Sequence, residues 1–464
     1  MLSLTRCRNA LALFVAFFAL QAVPVVAQTA PEAPLPTAAP ASPSPASVEP
    51  AAEAPPLNLS QLLELGRSRN PEWAAALAGP RAAEGELLQA GMTPNPEVSL
   101  STDYELPFDG EPFHTENVGL ALSQELELGG KRRARIAAAT ARLEAARQKA
   151  REVERQLRLD LHNAYAELLY AQLLQELRAD ILRTAEANLK LTEGRLKAGD
   201  VAGVDVMQLR SDVALRRSEL EAAAGQVRSS ATGLTRLFGE SLGAAVSVAG
   251  QLGGPRAIPP LAELHQLAST RPDLLQANAE SEAAEKEIAV QETSGISNLT
   301  ASLGLSREHL LIDEDAITPH GIINGIDDRA WVASIQLSIP IPINNTNEGN
   351  VIRARAEAEG ARLQKDVAAQ KVHTEVSQAY AEWEAALRTL APLEEAALDN
   401  ARQAYEIVDQ AYRLGHRSIL DVLQARQEYL QVRLARLEAL RTVELSIAKL
   451  EAVTGSPLGE DPQP

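Results

Sequence analysis

Four segments of the chain alternate strictly between apolar and small polar residues. In 97–106, Val98, Leu100, Thr102, Tyr104 and Leu106 share one face, and Ser99, Ser101, Asp103 and Glu105 the other. In 117–128, Val118, Leu120, Leu122, Leu126 and Leu128 oppose Asn117, Gly119, Ala121, Ser123, Glu125 and Glu127. In 298–306, Leu299, Ala301, Leu303 and Leu305 oppose Thr300, Ser302, Gly304 and Ser306, and in 330–341 Trp331, Ala333, Ile335, Leu337 and Ile339 oppose mostly small polar residues. Period-two alternation of this length predicts β-strands with one apolar face. Small polar residues on the second face fit a membrane-spanning strand that lines a wet pore. An ordinary half-buried antiparallel sheet alternates in the same way. Four strands cannot close: the smallest membrane barrels have about eight, and lipid tolerates no open sheet edge. If these strands span a membrane, the chain must oligomerise, to eight strands as a dimer or twelve as a trimer.

Between the strand pairs the periodicity changes to that of helices. No Gly or Pro occurs from Lys131 to Glu193, and a helix of that length runs about 95 Å. Its apolar positions, Val153, Leu157, Leu161, Ala164, Leu168 and Ala171, step by three and four, as in a coiled coil. A second stripe runs Val372, Val376, Ala379, Trp383, Leu387 and Leu390, and Pro392 then predicts a kink or a register change. Each long helical run breaks once, at "GRLKAGDVAGVDVMQLRSDV" (194–213) and at "YRLGHRSILDVLQARQEYL" (412–430). These breaks belong to an internal repeat. "LNLSQLLELGRSRNPEWAAALA" from Leu57 resembles "PPLAELHQLASTRPDLLQANAE" from Pro259, and "NAYAELLYA" from Asn163 resembles "QAYAEWEAA" from Gln378. The repeats are assigned to 57–255 and 256–455, each with short helices, two strands, a very long helix, a break and a further helix, and 456–464 form a disordered tail. The strand connections 107–116 and 307–329 read as acidic outer loops. The helices leave from the opposite strand ends, so the breaks lie about 100 Å away, at the far tip.

Composition and charge narrow the class. Aromatics make up only 3% of the 464 residues, so a thick globular core is not expected. A net charge of −18 argues against nucleic acid. Arg6 and Arg8 precede an apolar run from Ala10 to Ala22, and Val25-Val26-Ala27 precedes a cleavage point at Gln28, which reads as an export signal over 1–27. A membrane anchor is the other reading, but the run is short and proline-rich chain follows it. Nine prolines between Pro31 and Pro56 make 28–56 an extended, disordered linker. The one cysteine, Cys7, lies before the apolar run, so no acyl anchor, disulfide or thiolate metal site is expected.

Candidate chemistry is sparse. "GGKRR" from Gly129 resembles the end of a phosphate loop, but it lacks the upstream glycine and the Ser or Thr after Lys131. Its basic cluster, Lys131, Arg132, Arg133 and Arg135, would sit at the inner membrane face, either against lipid phosphates or simply solvated. The seven histidines show no metal-ligand spacing, and His309 and His320 share an acidic loop with Asp313, Glu314 and Asp315 as a loose metal-attracting patch at most. Three methionines make no relay for soft metals. No constellation indicates an enzyme, a cofactor or a bound metal. The stripes by themselves suit a plain coiled-coil spacer.

With strands, helices, repeat and breaks taken together, the chain resembles the TolC family of outer membrane factors over about Leu57 to Gly455. "LELGGKRRARIAAA" from Leu126 is similar to the branch paired with heavy-metal efflux pumps. The resemblance implies a mainly α fold with a small β part. In it, a homotrimer builds a twelve-stranded barrel in the outer membrane of a Gram-negative bacterium, continued by a periplasmic α-helical barrel. It implies an exit duct for a tripartite pump, with a periplasmic adaptor and an inner-membrane RND-type transporter as partners and heavy-metal cations among the candidate substrates. It also implies that the breaks are hairpin tips that close the mouth at rest and meet the adaptor through Gly199, Asp200, Val204, Gly415, His416, Ser418 and Leu420. Tyr412 and Arg417 fall where the family has a tyrosine and an arginine bonded to the first hairpin, and Asp205 where it has their aspartate partner. Asp421 falls at an aspartate ringing the constriction. Gln424 replaces a second family aspartate, which weakens the expected acidic ring. As plain turn residues, Arg417 and Asp205 would be solvated and Asp421 would be a helix N-cap. The alternative function is a periplasmic coiled-coil adaptor or spacer.

Overall fold

A computed structural model of the chain describes residues 56–104, 113–239, 246–253, 256–312, 316–318, 321–323 and 326–458. The export signal, the linker up to residue 55, the first outer loop over 105–112 and the tail from 459 lie outside the described residues. Three short helices, α1 (Leu59–Arg69), α2 (Pro71–Ala76) and α3 (Ala78–Ala90), lead into strands β1 (Glu97–Tyr104) and β2 (Phe113–Leu126). Two long helices follow, α4 (Lys131–Ala198) and α5 (Gly203–Arg236). The order then begins again with α6 (Leu261–Ala268) and α7 (Pro272–Ser294), and strands β3 (Leu299–Ile312), β4 (Ala316–Thr318), β5 (Gly321–Ile323) and β6 (Ile326–Ser338). Helices α8 (Glu348–Pro392), α9 (Leu398–Arg413) and α10 (Ile419–Thr454) complete it. Among the described residues no helix is long and apolar enough to cross a membrane.

Local chemistry sets the joints. Asn58 and Gln61 cap α1 reciprocally: Asn58 Oδ1 accepts from the Gln61 N–H at 2.8 Å and Gln61 Oε1 from the Asn58 N–H at 3.0 Å. Gly129 (φ 72°) and Gly130 (φ 77°) turn β2 into α4 in the left-handed region, where a side chain would be strained. A Cβ at Gly129 would also lie 2.4 Å from Ile296 Cδ1. The Gly pair of "GGKRR" is therefore a strand-to-helix joint. Of its basic cluster, Lys131 donates to Asn298 at 2.7 Å and Arg135 pairs with Glu127, while Arg132 and Arg133 are exposed. Helix α4 has 68 residues, about 100 Å of rise. At Pro392 the chain does not stop. A π-helical turn over Leu393–Ala397 takes up the register change and hands the helix on to α9.

The antiparallel sheet has the order β1-β2-β3-β6. Its register sets apolar rows across all four strands: Val98 faces Leu122, Leu122 faces Leu303, and Leu303 faces Ile335. On the other face Ser99, Ala121, Gly304 and Ser334 form one row. A Cβ on Gly304 would lie 2.5 Å from Ser334 Oγ, and one on Gly119 2.8 Å from Ser101 Oγ. At these two positions only glycine fits beside the neighbouring serine. The apolar face is bare, with Leu100, Trp331, Ile335 and Leu337 each more than 60% exposed. β3 and β6 run beyond the alternating segments into 307–329, read from the sequence as loop. Arg307 to Ile312 pair with Trp331 to Ile326, and β4 and β5 add a small hairpin. Sequence alone missed this extension because the charged outer ends lose the apolar alternation while keeping the backbone ladder.

The main core lies where the short helices meet the long ones. Leu62 of α1, Leu161 and Leu168 of α4, Leu264 of α6, Val376 of α8, and Val443, Ile447 and Leu450 of α10 are all buried in it. The 246–252 connector is pinned there by the Leu57 and Val248 bridge and by Tyr165, whose hydroxyl donates to the Ala249 carbonyl at 2.9 Å. Beside it, His162 is held between two carboxylates, Glu444 at 2.9 Å and Glu451 at 3.6 Å. Gly253 N–H donates to the second Glu444 oxygen at 2.9 Å. Burial disfavours the charged imidazole, but the hydrogen bonds and charges of Glu444 and Glu451 outweigh it and raise His162 from 6.5 to about 9. Burial would raise Glu444, but the hydrogen bond and charge of His162, the charge of Arg256 and the Gly253 N–H outweigh it and hold Glu444 below the usual carboxylate range. A raised folded pKa gives stability that is complete below about 6.5 and is lost as pH rises through about 9. We expect the unfolding free energy in detergent to fall by on the order of 2–3 kcal/mol between pH 7 and 9.5, read as a lower unfolding midpoint. His162→Gln should flatten this slope, and an equal slope in that variant would place the titration elsewhere.

Candidate functional site

The two breaks form two hairpin tips. At the first, α4 ends in a left-handed Gly199 (φ 85°), whose N–H donates to the Leu196 carbonyl, while the Asp200 N–H returns to the Arg195 carbonyl at 2.9 Å. At the second, α9 ends the same way through Gly415 (φ 78°), with the His416 N–H donating to the Ala411 carbonyl at 2.8 Å. Both are glycine-terminated helix caps, which explains why each break spans only a few residues. Helix α5 restarts with the Asp205 carboxylate accepting from the Ala202 N–H at 3.3 Å. Helix α10 restarts with a reciprocal cap. Ser418 Oγ accepts from the Asp421 N–H at 3.3 Å, and the Asp421 carboxylate accepts from the Ser418 N–H at 2.9 Å. The N-cap is therefore Ser418, and Asp421 is its partner one turn in. That backbone bond first, the Ser418 hydroxyl second and the positive charge of Arg417 hold Asp421 below the usual carboxylate range.

Only one expected gate residue bridges the hairpins inside a single chain. Tyr412 is buried, its hydroxyl 3.2 Å from Thr192 Oγ1 on α4. The Arg195 guanidinium lies over its ring, 5.1 Å from the centroid, and donates to the Tyr412 carbonyl at 3.3 Å. With Leu209, Ile419 and Val422, Tyr412 makes a small core beneath the tips. Among the described residues no hydrogen bond or ion pair joins Asp205 to Tyr412 or Arg417. Arg417 is exposed and has no hydrogen bond or ion pair among them. Gly199, Asp200, Gly415, His416 and Ser418 are exposed, and Val204 and Leu420 present bare apolar side chains at 50% and 58% exposure. Sequence reasoning missed Thr192 and Arg195, whose partners lie over two hundred residues away. It also missed a buried ion pair between Asp212 on α5 and Arg426 on α10. A signal for this pair was present, because Ile419, Val422, Arg426 and Leu430 keep the spacing of one helix stripe.

Among the described residues no group of three or more His, Cys, Asp or Glu side chains is arranged to hold a metal. His309 reaches across the sheet to Asp327 at 2.8 Å, while Asp313, Glu314, Asp315 and His320 lie outside the described residues. His265 and His373 stack with centroids 4.1 Å apart, a pairing with no trace in their spacing.

The family model described as outer membrane efflux protein matches residues 62–240 and 264–456. The cobalt-zinc-cadmium resistance protein CzcC of Cupriavidus metallidurans is 24% identical over 417 residues, covering 88% of this chain and 92% of the relative. The pyoverdine export outer membrane protein OpmQ of Pseudomonas aeruginosa is 25% identical over 412 residues, covering 82% and 83%. The crystal structures of CusC, 18% identical, superpose with a TM-score of 0.68 over 91% of this chain and 99% of that one. We expect Tyr412→Ala to loosen the tip by about 2–4 kcal/mol, as loss of a buried aromatic does, read as faster amide exchange over 192–209. Tyr412→Phe should cost about 1 kcal/mol, and Arg417→Ala less than about 0.5 kcal/mol within one chain. A larger effect of Arg417→Ala would mean that it has a partner in its own chain.

Proposed function

The chain belongs to the outer membrane efflux protein family and is an outer membrane channel, the exit duct of a tripartite efflux pump; we propose that it works as a homotrimer gated at its hairpin tips. The observation that carries the trimer is the open sheet. β1 pairs only with β2 and β6 only with β3 among the described residues, while the face between those edges is apolar and bare. Two unpaired edges cannot stand in lipid. Three copies joined from β6 to β1 leave no edge and enclose the face of Ser, Ala and Gly as a wet lining. That the family model matches twice, once in each half, supports the internal repeat and its two hairpins per protomer. An adaptor or spacer role is set aside, because the matched family is the channel and not its partners.

At the mouth, Arg417 of one protomer is free to reach Asp205 of a neighbour, since neither spends its charge on an ion pair among the described residues. Such an exposed pair contributes roughly 0–1 kcal/mol, and three copies related by symmetry suffice to bias a closed state that a partner can reverse. The bare Val204 and Leu420, with Gly199, Asp200, Gly415, His416 and Ser418 around them, suit contact with a periplasmic adaptor that links the duct to an RND-type inner-membrane transporter. Heavy-metal cations are the proposed cargo, on the likeness to the cobalt-zinc-cadmium resistance protein. The dispersed metal-ligating side chains leave cargo selection to the transporter. The exposed Arg132 and Arg133, at the sheet end of α4, suit the inner phosphate layer of the membrane.

In mild detergent, the extracted protein should have three times the mature chain mass after correction for bound detergent; a monomer or dimer would exclude the twelve-stranded barrel. Arg417→Ala combined with Asp205→Ala should raise conductance in planar bilayers, and unchanged conductance would remove these residues from the gate. A host lacking the protein should lose tolerance to cobalt, zinc and cadmium salts, and unchanged tolerance would point to another cargo.

A further inference from the structure

One buried charge layer in the hairpins is unexplained by the gate. Helix α10 sends Ile419, Val422, Arg426 and Leu430 into the seam at steps of three and four, and all four are buried. Three are apolar, and the fourth is an arginine 3% exposed. Across the seam Asp212 sits between the buried Leu209 and Val213 on α5. Its carboxylate accepts from Arg426 on one oxygen and from Arg216 Nε, at 3.1 Å, on the other. Arg216 reaches Glu219 at 3.1 Å, and Glu219 accepts from Arg178 of α4 at 2.7 Å. One ionic layer thus crosses α4, α5 and α10. Tipward of it lies the apolar cluster of Tyr412, and on its other side the cluster of Leu177, Ile181 and Leu430.

This layer is poor at stabilising the seam. Nε and Nη1 of Arg426 are buried with no partner among the described residues, and a buried guanidinium with idle donors is costly. Methionine or leucine would fill the stripe without that cost. An ion pair inside an apolar seam does admit fewer alignments than apolar packing, because a slide of one turn strands both charges. The corresponding position after the first break, Arg210, is exposed and pairs with Glu193 at 2.9 Å on its own hairpin. Of the two equivalent positions after the breaks, only Arg426 is therefore buried in an ion pair between the hairpins.

We propose that Arg426 and Asp212 are a positioning pair that fixes the register of the second hairpin against the first and so holds the mouth in its resting state. This rests on the reading of the tips as a gate. An opening motion that slides or unwinds α10 against α5 must break the pair, whereas Arg417 and Asp205 act only between tips.

The test is Arg426→Met in the full protein, extracted from membranes, with Arg426→Lys and Arg417→Ala alongside. Asp212 keeps Arg216 as partner in these variants, so no carboxylate is stranded. For Arg426→Met, the thermal unfolding midpoint should stay at or above that of the parent. Its resting conductance in planar bilayers should rise by about tenfold, the low end of what a close buried charge pair contributes. Arg426→Lys should stay closed. Unchanged conductance in Arg426→Met overturns the proposal. If Arg417→Ala alone opens the channel, the tip gate stands without the lock; if neither opens it, both readings fall. A rise shared by Arg426→Lys and accompanied by a lower midpoint also overturns it, because the pair would then serve packing rather than register.

Discussion

The rest of the structure depends on where the backbone hydrogen bonds at the two edges of a four-stranded sheet go. Among the described residues, β1 and β6 each have one neighbour. In water such edges can bind solvent, but in hydrocarbon each unpaired group costs several kcal/mol. The bare apolar face says that this sheet belongs in hydrocarbon. In the proposed trimer the edges find partners only in other copies, so barrel closure and assembly become one event. On the opposite face a Cβ at Gly119 or Gly304 would collide with a cross-strand serine, and the small residues there suit the tightly curled inner side of the proposed barrel.

The helical part solves a different problem. A helix such as α4 cannot bury much surface against a single neighbour, and its alanines and leucines are spread along a seam rather than gathered in a globule. Packing is concentrated at the core where α1, α6 and the 246–252 connector wrap the long helices, and there His162 and Glu444 are buried as a charged pair. Toward the tips burial thins to clusters of a few side chains around Tyr412 and Leu177. Local stability should fall along the same direction, since opening free energy follows buried contacts. The part of the chain proposed to move is the part with least to hold it.

Seen this way, the two kinds of charge at the tips have different tasks. The exposed Arg417 and the half-buried Asp205 have no ion pair among the described residues and are proposed to meet those of a neighbour. The buried Arg426 and Asp212 are spent within the chain, and they align one hairpin on the other. In the proposed trimer, a weak contact between copies is set upon a rigid alignment within each copy, an arrangement that suits the proposed gate.

Much of this was legible in the residue order. Period-two alternation marked the four strands and their apolar face, because side-chain direction in a strand is a local property. Helical spacing marked the long helices, and Gly199 and Gly415 marked the breaks, because a left-handed cap is also local. Pro392 announced the register change, though not its form as a π-helical turn. Tertiary structure alone decided which distant charges meet. Asp212 and Arg426, His162 and Glu444, and Thr192 and Tyr412 are each separated by more than two hundred residues, and nothing in their neighbourhoods names the partner. It also decided that Ser418 rather than Asp421 is the N-cap, and that the outer parts of β3 and β6 stay paired where alternation ends. Pattern reports the environment that a residue prefers; which other residue supplies that environment depends on how the helices are set side by side.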